Sequence, residues 1–185
     1  MLLGRVDPQA PPLRHLGPPR AYQHRRLDAA SAAAGLGVDL VTMTGNLAQV
    51  FVTDDAWCST LRGIRAALRR DGRLIFETRD PARRAWEAWN RTATCKRLHI
   101  PGFDEVESWI DLTEVTLPLV SFQTSFVFHA DGTVLTSNST LRFRDQAEMA
   151  AALTAGGFII DATRDAPDRP GREMVFVATA LLVPP

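Results

Sequence analysis

Apolar residues first gather in two short runs that predict neighbouring β-strands. Residues 38–43, VDLVTM, are interrupted only by Asp39 and Thr42, and residues 73–78, RLIFET, form the second run. Short apolar runs bounded by turn residues are typical of strands buried in a sheet. We therefore expect two strands, the first of which ends in the small polar residues TGN.

The segment between these runs predicts an amphipathic helix over 53–72. Thr53 is the expected N-cap, acidic residues occupy the first turn, where they suit the helix dipole, and Gly72 is the expected stop. The apolar stripe falls at intervals of four, three and four and consists of Trp57, Leu61, Ile64 and Leu68. Strand, helix and strand predict a parallel βαβ unit with a right-handed crossover.

A further helix is predicted directly after the second strand. Asp80 and Pro81 have the chemistry of a cap and a first helical residue for the segment PARRAWEAWNR. Trp86 and Trp89 fall at helical spacing, so they should share one face.

Residues 105–143 alternate between apolar and polar positions, which predicts a three-stranded antiparallel insertion. Asp131 and Gly132 are the expected hairpin turn. One face of the insertion should bury aromatic side chains, namely Phe122, Phe126 and Phe128. The opposite face should carry Ser121, Gln123 and Ser125.

The last third of the chain predicts a capped helix and a strand pair. Asp145 followed by Glu148 is typical of a capping box, and Gly156 or Gly157 should end the helix. The runs FIIDAT and REMVFVATAL, joined by a loop rich in Pro and Gly, should form an antiparallel pair that closes the sheet.

Residues 1–37 differ from the rest of the chain. The stretch DPQAPPLRHLGPPR contains five prolines and no helical or alternating period. We therefore expect an irregular lead over 1–37 and an α/β domain over 38–185, with 105–143 as its antiparallel insertion.

Composition narrows the function classes. The 185 residues are 45% apolar and 23% charged, which suits one globular domain. The net charge is zero, so the basic excess of a nucleic-acid or anionic-membrane protein is lacking, and no apolar run reaches membrane-spanning length. Cys58 and Cys95 lie far apart, which indicates neither a disulfide framework nor a zinc site and favours a cytoplasmic location.

Four segments together resemble the C-terminal two thirds of class I S-adenosylmethionine-dependent methyltransferases. They are VDLVTMTGNLAQVF, LRGIRAALRRDGRLIFETRDP, STLRFRDQAEMAAALTAGGF and the final strand pair. In that order, residues 38–43 correspond to strand four and residues 73–78 to strand five. The resemblance implies a Rossmann-like α/β fold with a substrate-side insertion after strand five, S-adenosylmethionine as cofactor and a small-molecule acceptor.

The chain departs from this family at the cofactor turn. The family binds its cofactor through a Gly-rich turn after strand one, and the sequence contains no G-x-G-x-x-G run. The resemblance therefore implies an N-terminally incomplete fold. Asp7 would correspond to the acid on the ribose hydroxyls, and Asp28 and Ala29 to the turn that meets the adenine. The alternatives are a plain turn at Asp7 and a solvated loop at Asp28.

The resemblance places the rest of the cofactor site on the first predicted strand. Thr44, Gly45 and Asn46 would lie beside the methionine part of the cofactor, the alternative being a plain turn. The next layer, facing the acceptor, would consist of Gln49, Val50 and Phe51.

The second predicted strand supplies further candidates for substrate binding. Its end, Glu77 to Arg79, offers an acid and a guanidinium that would orient a polar substrate or else pair with each other. Arg79 is favoured for substrate contact. Trp86 and Trp89 would wall the acceptor pocket, unless their helical spacing means that they belong to the core. His99 and His129 have no neighbouring ligand or nucleophile in sequence, so no metal site and no catalytic residue is assigned.

Two functions fit these features. One is methyl transfer to a small molecule, which needs positioning of the acceptor more than a dedicated acid or base. The other is a cofactor-free remnant acting as a binding or assembly module. Without strand one, strand four would present an unpaired edge, so we expect a homodimer or aggregation through it unless residues 1–37 cover it.

Overall fold

The computed structural model describes residues 36–101 and 104–181. Two four-stranded sheets make up this part of the chain, and the first has the order β1-β2-β8-β7 while the second has β3-β4-β5-β6. The strands are β1 Val38–Met43, β2 Leu68–Arg79, β3 Lys96–Ile100, β4 Asp104–Thr116, β5 Leu119–Phe128, β6 Val134–Arg142, β7 Phe158–Asp165 and β8 Glu173–Ala180. The helices are α1 Asp54–Ala67, the single turn α2 Arg91–Thr94, and α3 Gln146–Ala155. None of these helices is long and apolar enough to cross a membrane.

The predicted parallel unit is confirmed. Strands β1 and β2 are parallel and α1 connects them. The Thr53 side chain accepts a hydrogen bond from the backbone N–H of Ala56, as an N-cap does.

Gly72 does not end the helix, contrary to the prediction. α1 ends at Ala67 and β2 begins at once, with Leu68 opposite Val38 in the sheet. A Cβ on Gly72 would lie 3.0 Å from the carbonyl oxygen of Arg69 and 3.1 Å from that of Val38. Close approach of two backbones is therefore what Gly72 provides.

Helices α1 and α3 cover one face of the first sheet and form the main core with it. The sheet contributes Val41, Met43, Leu74, Phe76, Phe158, Phe176, Ala178 and Ala180, and the helices contribute Trp57, Leu61, Ile64, Met149 and Leu153. Phe76 stacks on Phe176 at a centroid distance of 5.1 Å and meets the edge of Trp57 at 5.6 Å. The apolar stripe predicted for 53–72 is the buried face of α1.

Residues 81–91 do not form the regular helix that the sequence predicts. Two short 3₁₀ helices, Pro81–Arg83 and Ala85–Ala88, are separated by Arg84, which has a left-handed φ of 45°. The Asp80 side chain still accepts a hydrogen bond from Ala82 N–H, so the predicted cap is present. The helical period fails because packing of the two tryptophans, described below, sets the path of the chain.

The antiparallel insertion has four strands among the described residues, whereas the sequence predicts three. The additional strand is β3, which pairs with β4, and its five residues are all exposed. A strand without a buried face gives no alternating signal. The hairpin between β5 and β6 at Asp131 and Gly132 is confirmed, since Phe128 N–H donates to the carbonyl of Thr133.

Burial along β5 differs from the expectation. Phe122, Phe126 and Phe128 are only partly buried, while Val120 is fully buried and Ser125 is 5% exposed. Successive side chains point to opposite faces of the second sheet, as predicted. Each face of that sheet is covered only in part, so neither face forms a continuous core.

The end of the domain agrees with the sequence. Asp145 and Glu148 form a reciprocal capping box, and Gly156 follows the last residue of α3. Strands β7 and β8 form the predicted antiparallel pair, with β8 inserted between β7 and β2.

Candidate active site at the carboxyl edge of the first sheet

The site lies where β1 and β2 end. The two strands are parallel, so Thr44 to Asn46 and Glu77 to Arg79 reach the same edge of the sheet. Strand β8 runs antiparallel to β2 and begins at this edge, with Glu173 opposite Arg79. Ligands of open α/β sheets bind outside the carboxyl ends of the strands.

A tight turn after β1 buries Asn46. Gly45 and Asn46 both have left-handed φ values, 70° and 59°, a conformation that Gly and Asn adopt most readily. Asn46 is 3% exposed and its Nδ2 donates to Glu173 Oε1 at 2.8 Å. A Cβ on Gly45 would meet no heavy atom within 4 Å, so there is space beside this turn.

Arg169 forms ion pairs with both acids of the site. Its Nη1 lies 2.9 Å from Glu173 Oε1 and its Nη2 lies 3.3 Å from Glu77 Oε1. Gly45 N–H also donates to Glu77 Oε1, at 2.8 Å. Glu77 therefore pairs with Arg169. The alternative considered from the sequence, an ion pair between Glu77 and Arg79, does not form.

Arg79 is positioned by an amide and an indole. Its Nη1 donates to Gln49 Oε1 at 2.9 Å, and its Cζ lies 5.6 Å from the centre of the Trp89 ring. Burial is the largest cause of a lowered pKa of Arg79. The charges of Glu173 and Glu77 raise this pKa, and the charge of Arg169 lowers it further. The guanidinium is still charged at neutral pH because its ordinary pKa is so high.

Two tryptophans link the site to the second sheet. Trp86 is 2% exposed and meets Phe143 edge to face at 4.6 Å, in a small core with Val120. This burial favours the core alternative for Trp86. Trp89 is partly buried and meets Phe122 at 4.9 Å.

The remaining residues predicted for the site fall in three places. Phe51 packs against Trp57 at 5.7 Å, on the main core. Val50 is 49% exposed, whereas Gln49 is fully buried on the site side with Arg79. Asp7, Asp28 and Ala29 lie outside the described residues, so their assignments stay predictions.

Several buried polar atoms of the site have no hydrogen-bond partner within the described part of the chain. They are Asn46 Oδ1, Gln49 Nε2, Thr78 Oγ1 and Glu173 Oε2. They are four of the nine such atoms among the described residues. Buried polar groups are rarely left unpaired, so four of them at one ligand-binding edge favour a ligand there. No group of three or more His, Cys, Asp or Glu side chains within 36–101 and 104–181 would hold a metal ion.

Sequence reasoning missed two residues of this site, namely Glu173 and Arg169, and it named Trp89 for the acceptor pocket without its contact with Arg79. Glu173 opens the final strand and Arg169 lies in the loop before it, more than 90 residues from Glu77. A charged residue at the first position of a central strand was the one signal that pointed to Glu173.

Comparison with known proteins identifies the fold. No protein-family model and no curated protein sequence matches the chain. Solved structures do match, among them a S-adenosylmethionine-dependent methyltransferase from Clostridium acetobutylicum, at 15% identity and a TM-score of 0.63 over 84% of this chain and 63% of that one.

Two sugar methyltransferases are similar to the same extent. CalS10, an amino pentose methyltransferase from Micromonospora echinaspora with S-adenosylmethionine bound, is 17% identical with a TM-score of 0.59, over 82% of this chain and 62% of CalS10. KedS8, a sugar N-methyltransferase from Streptoalloteichus, is 14% identical with a TM-score of 0.62, over 84% of this chain and 61% of KedS8.

These similarities confirm the predicted Rossmann-like methyltransferase fold with an antiparallel insertion after the second strand. The chain spans less than two thirds of the length of these structures. At such identities the likeness concerns the fold, and the chemistry has to be argued from the site.

Proposed function

We propose that this protein transfers a methyl group from S-adenosylmethionine to a small-molecule acceptor at the carboxyl edge of β1 and β2. The observation that carries the proposal is that buried polar atoms of Asn46, Gln49 and Glu173 have no partner among the described residues, at the ligand-binding edge of a methyltransferase fold. The matched methyltransferases support the reaction class, and CalS10 and KedS8 support a small polar acceptor.

The residues present fit the methionine part of the cofactor. Asn46 Oδ1 and Glu173 Oε2 are buried acceptors without a partner in the described chain, and an ammonium group supplies the donors they lack. The turn at Gly45 leaves room for the ligand next to the backbone. Asp7 for the ribose, with Asp28 and Ala29 for the adenine, remain predictions.

The bound cofactor supplies the reactive methyl group on its sulfonium. The side chains of this chain would bind and orient the two reactants. Asn46, locked by Glu173, fixes the cofactor side, while Arg79, locked by Gln49 and Trp89, fixes the acceptor side. Holding two reactants in line contributes much of such a rate enhancement, so no dedicated acid or base has to be present.

The second sheet would close the acceptor side of the site. It is joined to the site through Trp89, whose carbonyl accepts a hydrogen bond from Leu112 N–H at 2.9 Å and whose ring contacts Phe122.

The division of the chain at residue 37 and the cytoplasmic location remain predictions.

A second candidate function is a cofactor-free binding or assembly module. The observation that favours it is the lack of a G-x-G-x-x-G run anywhere in the sequence. Such a module needs no cofactor affinity, so cofactor binding distinguishes the two functions.

Calorimetric titration with S-adenosylhomocysteine tests the proposal. We expect binding to the unmodified chain, and Asn46→Ala should weaken it by about 1 to 3 kcal/mol through loss of buried hydrogen bonds. Asn138→Ala is the matched control, because Asn138 lies exposed on β6 and its side chain accepts a hydrogen bond from Gln123 on β5. If the unmodified chain binds no S-adenosylhomocysteine, the enzymatic proposal fails and the binding module is favoured.

A further inference from the structure

Among the described residues Arg79 has no carboxylate within ion-pair distance, although two acids lie at the same sheet edge. Arg169 holds both Glu77 and Glu173. Arg79, in contrast, makes no ion pair with any described residue, and its one side-chain hydrogen bond there is to the neutral amide of Gln49. Glu173 and Glu77 stabilise the charge of Arg79 only through space, and burial removes part of the water that would otherwise do so. A ligand that brings negative charge would offset that loss.

The guanidinium is also held in place in advance. The Trp89 ring lies 5.6 Å from its Cζ. Gln49 Oε1 accepts from one of its five N–H donors, so other donors of the guanidinium make no hydrogen bond with the described residues. A planar fork with fixed orientation suits bidentate binding of a carboxylate. Gln49 is fully buried and its Nε2 has no partner in the described chain, so a further donor stands next to the guanidinium.

The surface next to Arg79 is aromatic. Trp89 and Phe122 meet at 4.9 Å, and both are only partly buried. The ring centres of Trp89 and Phe143 lie 6.1 Å apart, so the indole also packs against Phe143. An aromatic pair beside a cation accepts a flat apolar body whose charged end faces the guanidinium.

We propose that Arg79 binds a carboxylate of the methyl acceptor, and that the acceptor is an aromatic acid whose ring lies against Trp89 and Phe122. This inference rests on the function proposed above. The cofactor also carries a carboxylate, on its methionine part. The acceptor is the favoured source because Arg79 stacks on the tryptophan that leads into the second sheet, whereas Asn46 and Glu173 on the cofactor side offer acceptor atoms, which suit an ammonium.

Benzoate is the probe, and benzamide is its neutral counterpart of the same shape. Binding to the full chain is followed by the ¹⁵N–¹H signals of the arginine Nε groups and by tryptophan fluorescence, with and without S-adenosylhomocysteine. We expect benzoate to shift the Arg79 signal and to bind at least about tenfold more tightly than benzamide, the ratio expected for a hydrogen-bonded charge.

Variants identify the residue and the source of the carboxylate. Arg79→Gln should weaken benzoate at least about tenfold and leave benzamide unchanged, while Arg79→Lys should recover only part of the loss because an ammonium lacks the fork. Arg83→Gln is the matched control, since Arg83 is exposed four residues further along the chain and its guanidinium lies 3.8 Å from Asp80. Near-UV circular dichroism checks that each variant is folded.

Three results would overturn the inference. Equal binding of benzoate and benzamide would show that the site does not recognise the negative charge. Unchanged benzoate binding in Arg79→Gln would show that Arg79 is not the residue that binds the carboxylate. Loss of S-adenosylhomocysteine affinity in Arg79→Gln, with benzoate unaffected, would assign the guanidinium to the cofactor. Benzoate binding as expected in a chain that never binds S-adenosylhomocysteine would instead overturn the proposed function and leave the carboxylate site standing.

Discussion

Several charged side chains of this protein are wholly or partly buried. Besides Arg79, one such residue is Glu107 on β4, which is 4% exposed. Arg91 Nη2 donates to its Oε1 at 2.5 Å, Arg97 Nη2 lies 3.3 Å from its Oε2, and Cys95 Sγ is 3.4 Å from Oε1. Arg91 in turn stacks over Trp109 at 4.1 Å. The carboxylate on β4 therefore links α2 and β3 to that strand.

The Glu107 cluster predicts a pH-dependent stability. The hydrogen bond from Arg91, followed by that from Cys95, lowers the pKa of Glu107 below its usual value of 4.5. A carboxyl whose pKa is lower in the folded than in the unfolded state stabilises above the unfolded pKa, and this contribution is lost as the pH falls through the folded pKa. Glu107→Gln should therefore lower Tm at neutral pH, and the difference should shrink as the pH falls below about 4.

Thermal unfolding of both chains across this pH range checks the prediction. Glu114→Gln is the control, since Glu114 lies exposed on the same strand and its side chain contacts Thr116. A Tm difference for Glu107→Gln that stays constant from neutral to acidic pH would contradict the charge-based explanation.

At the scale of elements, local chemistry fixes where helices begin. α3 starts with a complete capping box, in which Asp145 accepts from Glu148 N–H at 2.8 Å and Glu148 accepts from Asp145 N–H at 2.9 Å. The helix then buries Met149 and Leu153 against the first sheet. Because α3 forms part of the main core, its capping contributes to the stability of the whole domain.

Removal of this cap should be measurable in equilibrium unfolding. Asp145→Ala should lower the free energy of unfolding by about 0.5 to 2 kcal/mol, because the first-turn N–H groups lose their acceptor. Asp145→Asn keeps an acceptor oxygen and should retain most of the stability. Urea titration of the three chains provides the comparison, and equal losses in both variants would show that the charge and not the cap is responsible.

At the scale of the whole molecule, the order of the first sheet has a consequence for association. Within the described residues, β1 pairs with β2 on one side only. Val41 and Met43 are buried, but Leu40 on the opposite face is 48% exposed. An apolar strand with a free edge is a template for pairing with another chain.

We therefore predict that the 185-residue chain forms a dimer or larger assembly through β1 unless residues 1–37 cover it. Light scattering should give a molar mass above 20.4 kDa, and Leu40→Lys should return it towards that of a monomer, because a charge on an edge strand opposes pairing. Val134→Lys is the control, at an exposed apolar residue of β6 that is 57% exposed against 48% for Leu40. Amide exchange over 39–44 completes the test, and a stable monomer with these amides exposed would refute the prediction.

Features with a short range in sequence were predictable from the sequence. The N-caps at Thr53 and Asp145, the hairpin at Asp131 and Gly132 and the apolar stripe of α1 all depend on residues within about two helical turns of one another. The parallel pair β1 and β2 followed from the strand–helix–strand order. Placement of Thr44, Gly45, Asn46 and Arg79 at one sheet edge followed in turn from that pairing.

Contacts that join distant parts of the chain were decided by the tertiary structure. Asn46 meets Glu173 across 127 positions, and Arg169 meets Glu77 across 92, because β8 is inserted next to β2. The predicted helix over 81–91 is broken at Arg84, where packing of Trp86 on Phe143 outweighs helical spacing. The sequence alone thus determined the elements and the polar ends of two strands. Only the folded sheet order brought their charges together, since pairing between distant strands has no local pattern.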